Sequence, residues 1–138
     1  MKIKTKDLIG PALDWAVAKC EGYRDANDPN EHDEDNEHLD AYTCAFMRES
    51  GVAARWLIDL RYSTNWAQGG PIIEREQISV QVFDRSFKPN VMWNAYMPGE
   101  MPMIIDEEIN GPTPLIAAMR CFVTSKLSDE VDIPEELT

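Results

Sequence analysis

The chain predicts an α+β domain: a small antiparallel sheet of hairpins packed against two amphipathic helices, one N-terminal and one C-terminal, plus a short helix after a Gly-Gly-Pro bend. Three observations predict it. Leu115, Ala118, Met119, Phe122 and Val123 recur at helical spacing behind a Thr113-Pro114 start signal. Residues 78–83 alternate between apolar and polar side chains, the pattern of a half-buried strand. Apolar residues make up 43% of a chain of 138, enough for one core and one domain spanning 1–138.

Taken in order, residues 5–21 read as a helical opening. Thr5 and Asp7 can cap a first turn, and Gly10-Pro11 interrupts or restarts it. Ala12, Trp15, Ala16 and Cys20 share one face, with Asp14, Lys19 and Glu21 mostly elsewhere, and Gly22 stops the helix. Trp15 reads as a core anchor. Residues 24–40 are unlike the rest: eight of the seventeen are Asp or Glu, and besides one proline only Ala26 and Leu39 are apolar. Such a stretch cannot line a core and is expected to be an exposed acidic loop. His32 and His38, the two histidines of the chain, lie in it. The fixed glycine and terminal glutamate spacing of a calcium loop are missing, so a solvated insertion outweighs a weak metal site.

Residues 42–47 and 54–60 are expected to pair as a hairpin, with Trp56, Ile58 and Leu60 alternating against Leu57, Asp59 and Arg61. Ser63, Thr64 or Asn65 can cap a short helix. Gly69-Gly70 weakens it and Pro71 restarts it, with Ile72 and Ile73 inward and Glu74, Arg75 and Glu76 outward. Residues 78–83 and 91–97 form a second hairpin, with Trp93 and Ala95 on one face and Met92, Asn94 and Tyr96 on the other. A loop over 98–112 includes a candidate edge strand at Met103-Ile104-Ile105. After the last helix, an acidic tail over 128–138 carries Val131, Ile133 and Leu137 as anchors.

The formal net charge is −12. Without a basic patch to displace counterions, direct binding to nucleic acid is disfavoured. No apolar run reaches the roughly 18–20 residues of a membrane span. Met1 to Lys6 is basic but leads into no signal-peptide segment, so the protein is expected to stay where it is made. Cys20, Cys44 and Cys121 are odd in number and widely spaced, which argues against a disulfide framework or zinc knuckle.

The segment Tyr62 to Glu76 is the densest in chemistry. It offers a binding reading built on Thr64, Asn65, Trp66, Gln68, Gly69, Gly70, Arg75, Trp93, Tyr96 and Arg120. Gly69-Gly70 would let backbone N–H groups approach an anion at a helix start. Trp66 offers a stacking face, with Trp93 and Tyr96 as partners. Asn65 and Gln68 provide donor and acceptor edges, and Arg75 and Arg120 would neutralise a phosphate or carboxylate. Each has a bland counterpart: Trp66 as core cover, Arg75 paired with Glu74 or Glu76, Arg120 holding its helix to an acidic neighbour. A catalytic reading is weaker. Ser63, Thr64 and Cys44 lack a positioned base, Glu74 and Glu76 diverge at i and i+2, and no metal, phosphate-loop or nucleophile-elbow motif occurs. No catalytic residue, metal or cofactor is expected.

Three segments together resemble the bacteriophage NinX family, a family of unknown function. They are Ala12 to Glu21, Tyr62 to Glu76, and Gly111-Pro112-Thr113-Pro114-Leu115-Ile116-Ala117-Ala118-Met119-Arg120, with the closing Asp129-Glu130-Val131 and Pro134-Glu135-Glu136-Leu137. Residues 24–40 and 41–61 fit the pattern less well. The resemblance implies a small protein of a phage or prophage in its bacterial host's cytoplasm, and it brings no known reaction. Accessory genes of this kind often serve host takeover or counter host defence.

Two functions follow as expectations. The first is a non-catalytic accessory protein that binds a small anionic, nucleotide-like molecule, with homo-oligomerisation as one way for so small a domain to build a deep pocket. The second is an acidic antagonist in which Glu31, Asp33, Glu34, Asp35 and Glu37 imitate a phosphate track and occupy a host protein's basic groove. Neither involves a membrane.

Overall fold

Thr113 and Pro114 open the helix on which the rest of the molecule is assembled. In the computed structural model, which describes residues 1–25, 45–48, 54–82, 92–99 and 109–138, Thr113 Oγ1 accepts the Ile116 N–H at 3.1 Å. Helix α3 then runs Pro114–Lys126, and residues 115–123 are all buried. Helix α1 (Gly10–Cys20) packs against α3. The remaining elements are β1 (Lys2–Lys4), β2 (Tyr23–Asp25), β3 (Ala45–Arg48), β4 (Ala54–Trp56), α2 (Trp66–Glu76), β5 (Ser79–Val82), β6 (Trp93–Tyr96), β7 (Ile109–Gly111) and β8 (Glu130–Asp132). Among the described residues, short 3-10 turns occupy Thr5–Asp7, Leu57–Asp59 and Glu135–Leu137. The class is α+β, as expected, with helices beside small antiparallel sheets.

The sheets run β1-β8, β2-β3-β4 and β5-β6-β7. The second expected hairpin forms, and the first forms in part: its second strand ends at Trp56, where the expected alternation over 54–60 gives way to the 3-10 turn Leu57–Asp59, which buries both Leu57 and Leu60. Ala45 faces Trp56 and Met47 faces Ala54 in the first; Ser79 faces Tyr96 and Val82 faces Trp93 in the second. Each gains a third strand, β2 and β7 respectively. Helix α3 covers β5, β6 and β7. Apolar side chains of α1 and α3, with Leu8, Tyr23, Leu57, Leu60, Tyr62, Ile72, Ile78, Ala95, Val131 and Ile133, make one continuous core. Full burial of a side chain the size of Phe122 or Leu13 contributes roughly 1.5–3 kcal/mol each.

The N-terminus differs from the helical opening expected over residues 5–21. Thr5 does not cap a helix: its backbone N–H donates to Asp129 O (2.8 Å) and its hydroxyl to Ser128 O (2.7 Å). Residues 2–5 are instead fastened to the tail, with Lys2 opposite Asp132 and Lys4 opposite Glu130. The Met1 amino group bonds Asp132 Oδ1 and the Ile133 carbonyl. The helix begins only at Gly10, with Pro11 in its first turn, and Gly22 follows it at φ +92°. Val131 and Ile133 are buried anchors of the tail.

The Gly-Gly-Pro segment also differs from expectation. Helix α2 starts before it, not after it, and runs through Gly69, Gly70 and Pro71. Asn65 is the cap, its Oδ1 accepting the Ala67 N–H at 2.9 Å. Pro71 removes the donor that would reach the Ala67 carbonyl, and Ala67 is exposed, so solvent can satisfy that oxygen. The helix ends at Gln77, in the left-handed region at φ 56°. Most of the acidic stretch 24–40, with His32 and His38, lies outside the described residues; Arg24 and Asp25 belong to β2. Met103-Ile104-Ile105, Cys44, Glu31, Asp33, Glu34, Asp35 and Glu37 also lie outside them.

Candidate functional site

The turn that leads into α2 is braced from several directions. Thr64 N–H and Asn65 N–H both donate to Arg61 O (3.1 and 2.8 Å). Gln68 Oε1 accepts the Arg61 N–H at 2.7 Å, and Gln68 Nε2 donates to Asp59 O at 2.9 Å. The Asn65 carbonyl accepts from Gln68 N–H and Gly69 N–H. At the tip of this scaffold Thr64, Asn65, Trp66 and Ala67 are exposed, and the Trp66 side chain is 55% accessible. A large indole left in solvent on a rigidly held turn is the least expected surface feature of the described residues.

The sequence-derived constellation divides here. Thr64, Asn65, Trp66 and Gln68 stand together. Gly69 sits at a helix contact: a methyl group there would lie 2.4 Å from Tyr62 O and 2.5 Å from Leu115 Cδ1. Its N–H is already bonded, so it forms no anion cradle. Gly70 has room, with Trp66 Cε3 3.9 Å from where a methyl would be. Arg75 follows Trp66 by nine residues, about two and a half helical turns, which puts it about 13 Å along the axis on the opposite face. There Arg75 makes a two-pronged pair with Glu21, lies 3.4 Å from Glu76 and rests 5.8 Å from the centre of the Phe122 ring. The Glu21 carboxylate raises its pKa further.

Arg120 is inside the molecule, 7% exposed. Its Nε donates to Leu8 O and its Nη1 to Asn110 O, each at 2.8 Å. Burial lowers its pKa, with Asp7 acting in the other direction. It therefore ties α3 to the chain before α1 and to β7 through carbonyls, with Asp7 as an acidic neighbour that adds charge attraction. Trp93 is half-buried against the core, whereas Tyr96, three residues on, belongs to the other face of β6. Trp66, Arg75, Trp93, Tyr96 and Arg120 thus do not converge on one cavity.

Two residues outside the expected binding set prove central. Asp14 was expected off the buried face of α1, yet it is 6% exposed. Its Oδ1 accepts the Ser63 N–H at 2.8 Å. Burial raises the Asp14 pKa, opposed by the Ser63 N–H and hydroxyl and by the Arg61 charge. The Ser63 hydroxyl is itself fully buried and close to the carboxylate, although no partner has good hydrogen-bond geometry to it. One signal was legible: Asp14 interrupts the apolar run from Ala12 to Ala18. Of the cysteines, Cys121 is buried and Cys20 half-buried, its thiol pushed up to about 12 chiefly by burial. Neither is poised as a nucleophile. Among the described residues no helix is long and apolar enough to cross a membrane.

Fold and surface together define a small α+β domain with a braced, indole-bearing turn. The family model described as Bacteriophage P22, NinX matches residues 4–126. The chain belongs to this family, which places it among phage accessory proteins. A comparison with curated proteins found no match.

Proposed function

We propose that the chain is a non-catalytic accessory protein that acts by binding a host protein, and that the Thr64–Ala67 tip is its contact. The observation that carries this reading is the 55% exposure of Trp66 on a turn whose hydrogen bonds are nearly all internal. A pre-ordered tryptophan loses little conformational entropy on binding, which is why such residues dominate interface energetics. The net charge of −12 suits a partner with a basic surface. Family context points to host takeover or counter-defence as the setting. The cytoplasm of an infected or lysogenic cell is where that partner would be met.

The small nucleotide-like anion is the second reading. Its support is the exposure of Thr64, Asn65 and Trp66 at the N-terminal end of an eleven-residue helix. It ranks lower because the Ala67, Gln68 and Gly69 N–H groups are taken by Asn65, and both arginines are engaged elsewhere.

A photo-crosslinking amino acid at position 66, used in host cells, identifies a partner whose affinity is then measured in a purified pair. Trp66→Ala should weaken that affinity about 30-fold or more, and added salt should weaken it further. An affinity indifferent to Trp66→Ala removes the protein reading. A thermal shift produced by nucleotides and abolished by Trp66→Ala would instead establish the second.

A further inference from the structure

The bond between Asp14 and Ser63 joins two regions with different characters. Asp14 stands on α1, within the core that α1 shares with α3. Ser63 opens the turn that carries Trp66. Their hydrogen bond spans 49 residues of sequence and is buried at both ends. Around Ser63 the turn is closed upon itself by Arg61, Asp59, Asn65 and Gln68. A segment so braced is held to the core by two kinds of attachment: the buried side chains of Leu60 and Tyr62, and the bond from Ser63 to Asp14.

We propose that Asp14 is a positioning residue that latches the Trp66-bearing turn onto α1, so that breaking the Asp14–Ser63 bond releases the turn while the α1–α3 core stays folded. A carboxylate suits this task. It is a stronger acceptor than a neutral group, so it holds a backbone N–H firmly when seated. It also prefers water, so it favours the opened arrangement more than an apolar contact would. Such a latch keeps the exposed indole in a fixed place and lets its environment be altered by local opening rather than by unfolding. It does not depend on what Trp66 contacts.

Amide hydrogen exchange on the intact chain tests it. In the unmodified protein, Ser63 should exchange through an opening that is insensitive to low denaturant, and about tenfold or more faster than Ala118 and Phe122 in α3. Asp14→Ala should speed Ser63 exchange by a further tenfold or so beyond any change in α3. Asp14→Asn keeps an acceptor oxygen and should leave Ser63 nearer its original rate. Met119→Ala, a core change distant from the latch in sequence, should speed Ser63 no more than α3. With 5-fluorotryptophan, the Trp66 resonance (assigned with Trp66→Phe) should shift in Asp14→Ala but not in Met119→Ala. The latch is overturned if Ser63 and α3 exchange only together in the unmodified chain, a measurement that holds even if Asp14→Ala cannot fold. It is equally overturned if Asp14→Ala moves neither Ser63 selectively nor the Trp66 resonance.

Discussion

Helices α2 and α3 show how differently one chain can use two helices of similar length. In α3, nine consecutive residues are buried and even its arginine serves the interior. In α2, Gly69 and Ile72 alone are buried, Ile73 is partly covered, and the N-terminal end carries an exposed tryptophan. The comparison separates residues that look reactive from residues that are available. Arg120 and Arg75 were the obvious anion binders, and both are engaged by the protein itself. The available group is apolar.

The sharpest way to break this comparison is Arg120→Ala. The Leu8 and Asn110 carbonyls would both lose their charged donor, so a loss of about 3 kcal/mol or more is expected in urea unfolding. Arg120→Lys should recover only part of it, because an ammonium does not reproduce the spread of a guanidinium. A near-neutral Arg120→Ala would free Arg120 for a ligand and undo the contrast between the helices.

The two adjacent glycines come next. Gly69→Ala should lower stability by about 2–3 kcal/mol, since the Tyr62 carbonyl and Leu115 would have to give way. Gly70→Ala should change stability by no more than about 1 kcal/mol, because beyond its chain neighbours its methyl meets only Trp66 Cε3 and the helix-propensity gain is opposed by Pro71, which disfavours a helical side chain before it. Equal effects at the two positions would mean that α2 does not lean on α3 through Gly69.

Asp14 supplies a pH test. Its folded-state pKa is raised, so the folded chain holds the proton more tightly than the unfolded chain. Stability from this group is therefore greatest below the ordinary value of 3.8 and declines as pH climbs from there to the raised folded value. Asp14→Asn does not titrate. Its stability relative to the parent should rise across that window and level off above it, as read from unfolding curves at successive pH values. A gap that shrinks with rising pH would show that the seated carboxylate is favoured over its acid.

The smallest expected effects lie on the surface of α2. Arg75→Ala removes an exposed ion pair and should cost no more than about 1 kcal/mol. Trp66→Ala should change stability by about 0.5 kcal/mol or less while weakening partner binding. A large stability loss at Trp66 would make it a core residue after all.

Much of the fold was legible because its signals are local. Thr113-Pro114 caps and starts α3 through bonds within four residues, and the alternation around Ser79–Val82 and Trp93–Tyr96 marks strands whatever surrounds them. Less legible were elements that need a distant partner. Lys2-Ile3-Lys4 resembles no strand by itself and becomes one because β8 arrives from the other end of the chain. The candidate site was legible in its position and not in its members. Thr64, Asn65, Trp66 and Gln68 are contiguous, so the sequence kept them together, whereas Arg75, Trp93, Tyr96 and Arg120 were joined only by chemical type.

The sequence by itself determined the α+β class, the start of α3 at Thr113 and the pairing of Ser79–Val82 with Trp93–Tyr96, all of which rest on spacing and capping over a few residues, and three of its segments carried the family resemblance. Only the tertiary structure decided that a diglycine next to a proline stays helical, that Asp14 and Arg120 are buried, and that Trp66 is not. Those outcomes depend on what approaches from far along the chain: Leu115 and the Tyr62 carbonyl fill the space at Gly69, and the Leu8 and Asn110 carbonyls and the Ser63 N–H supply partners for charges that would otherwise have to remain in water.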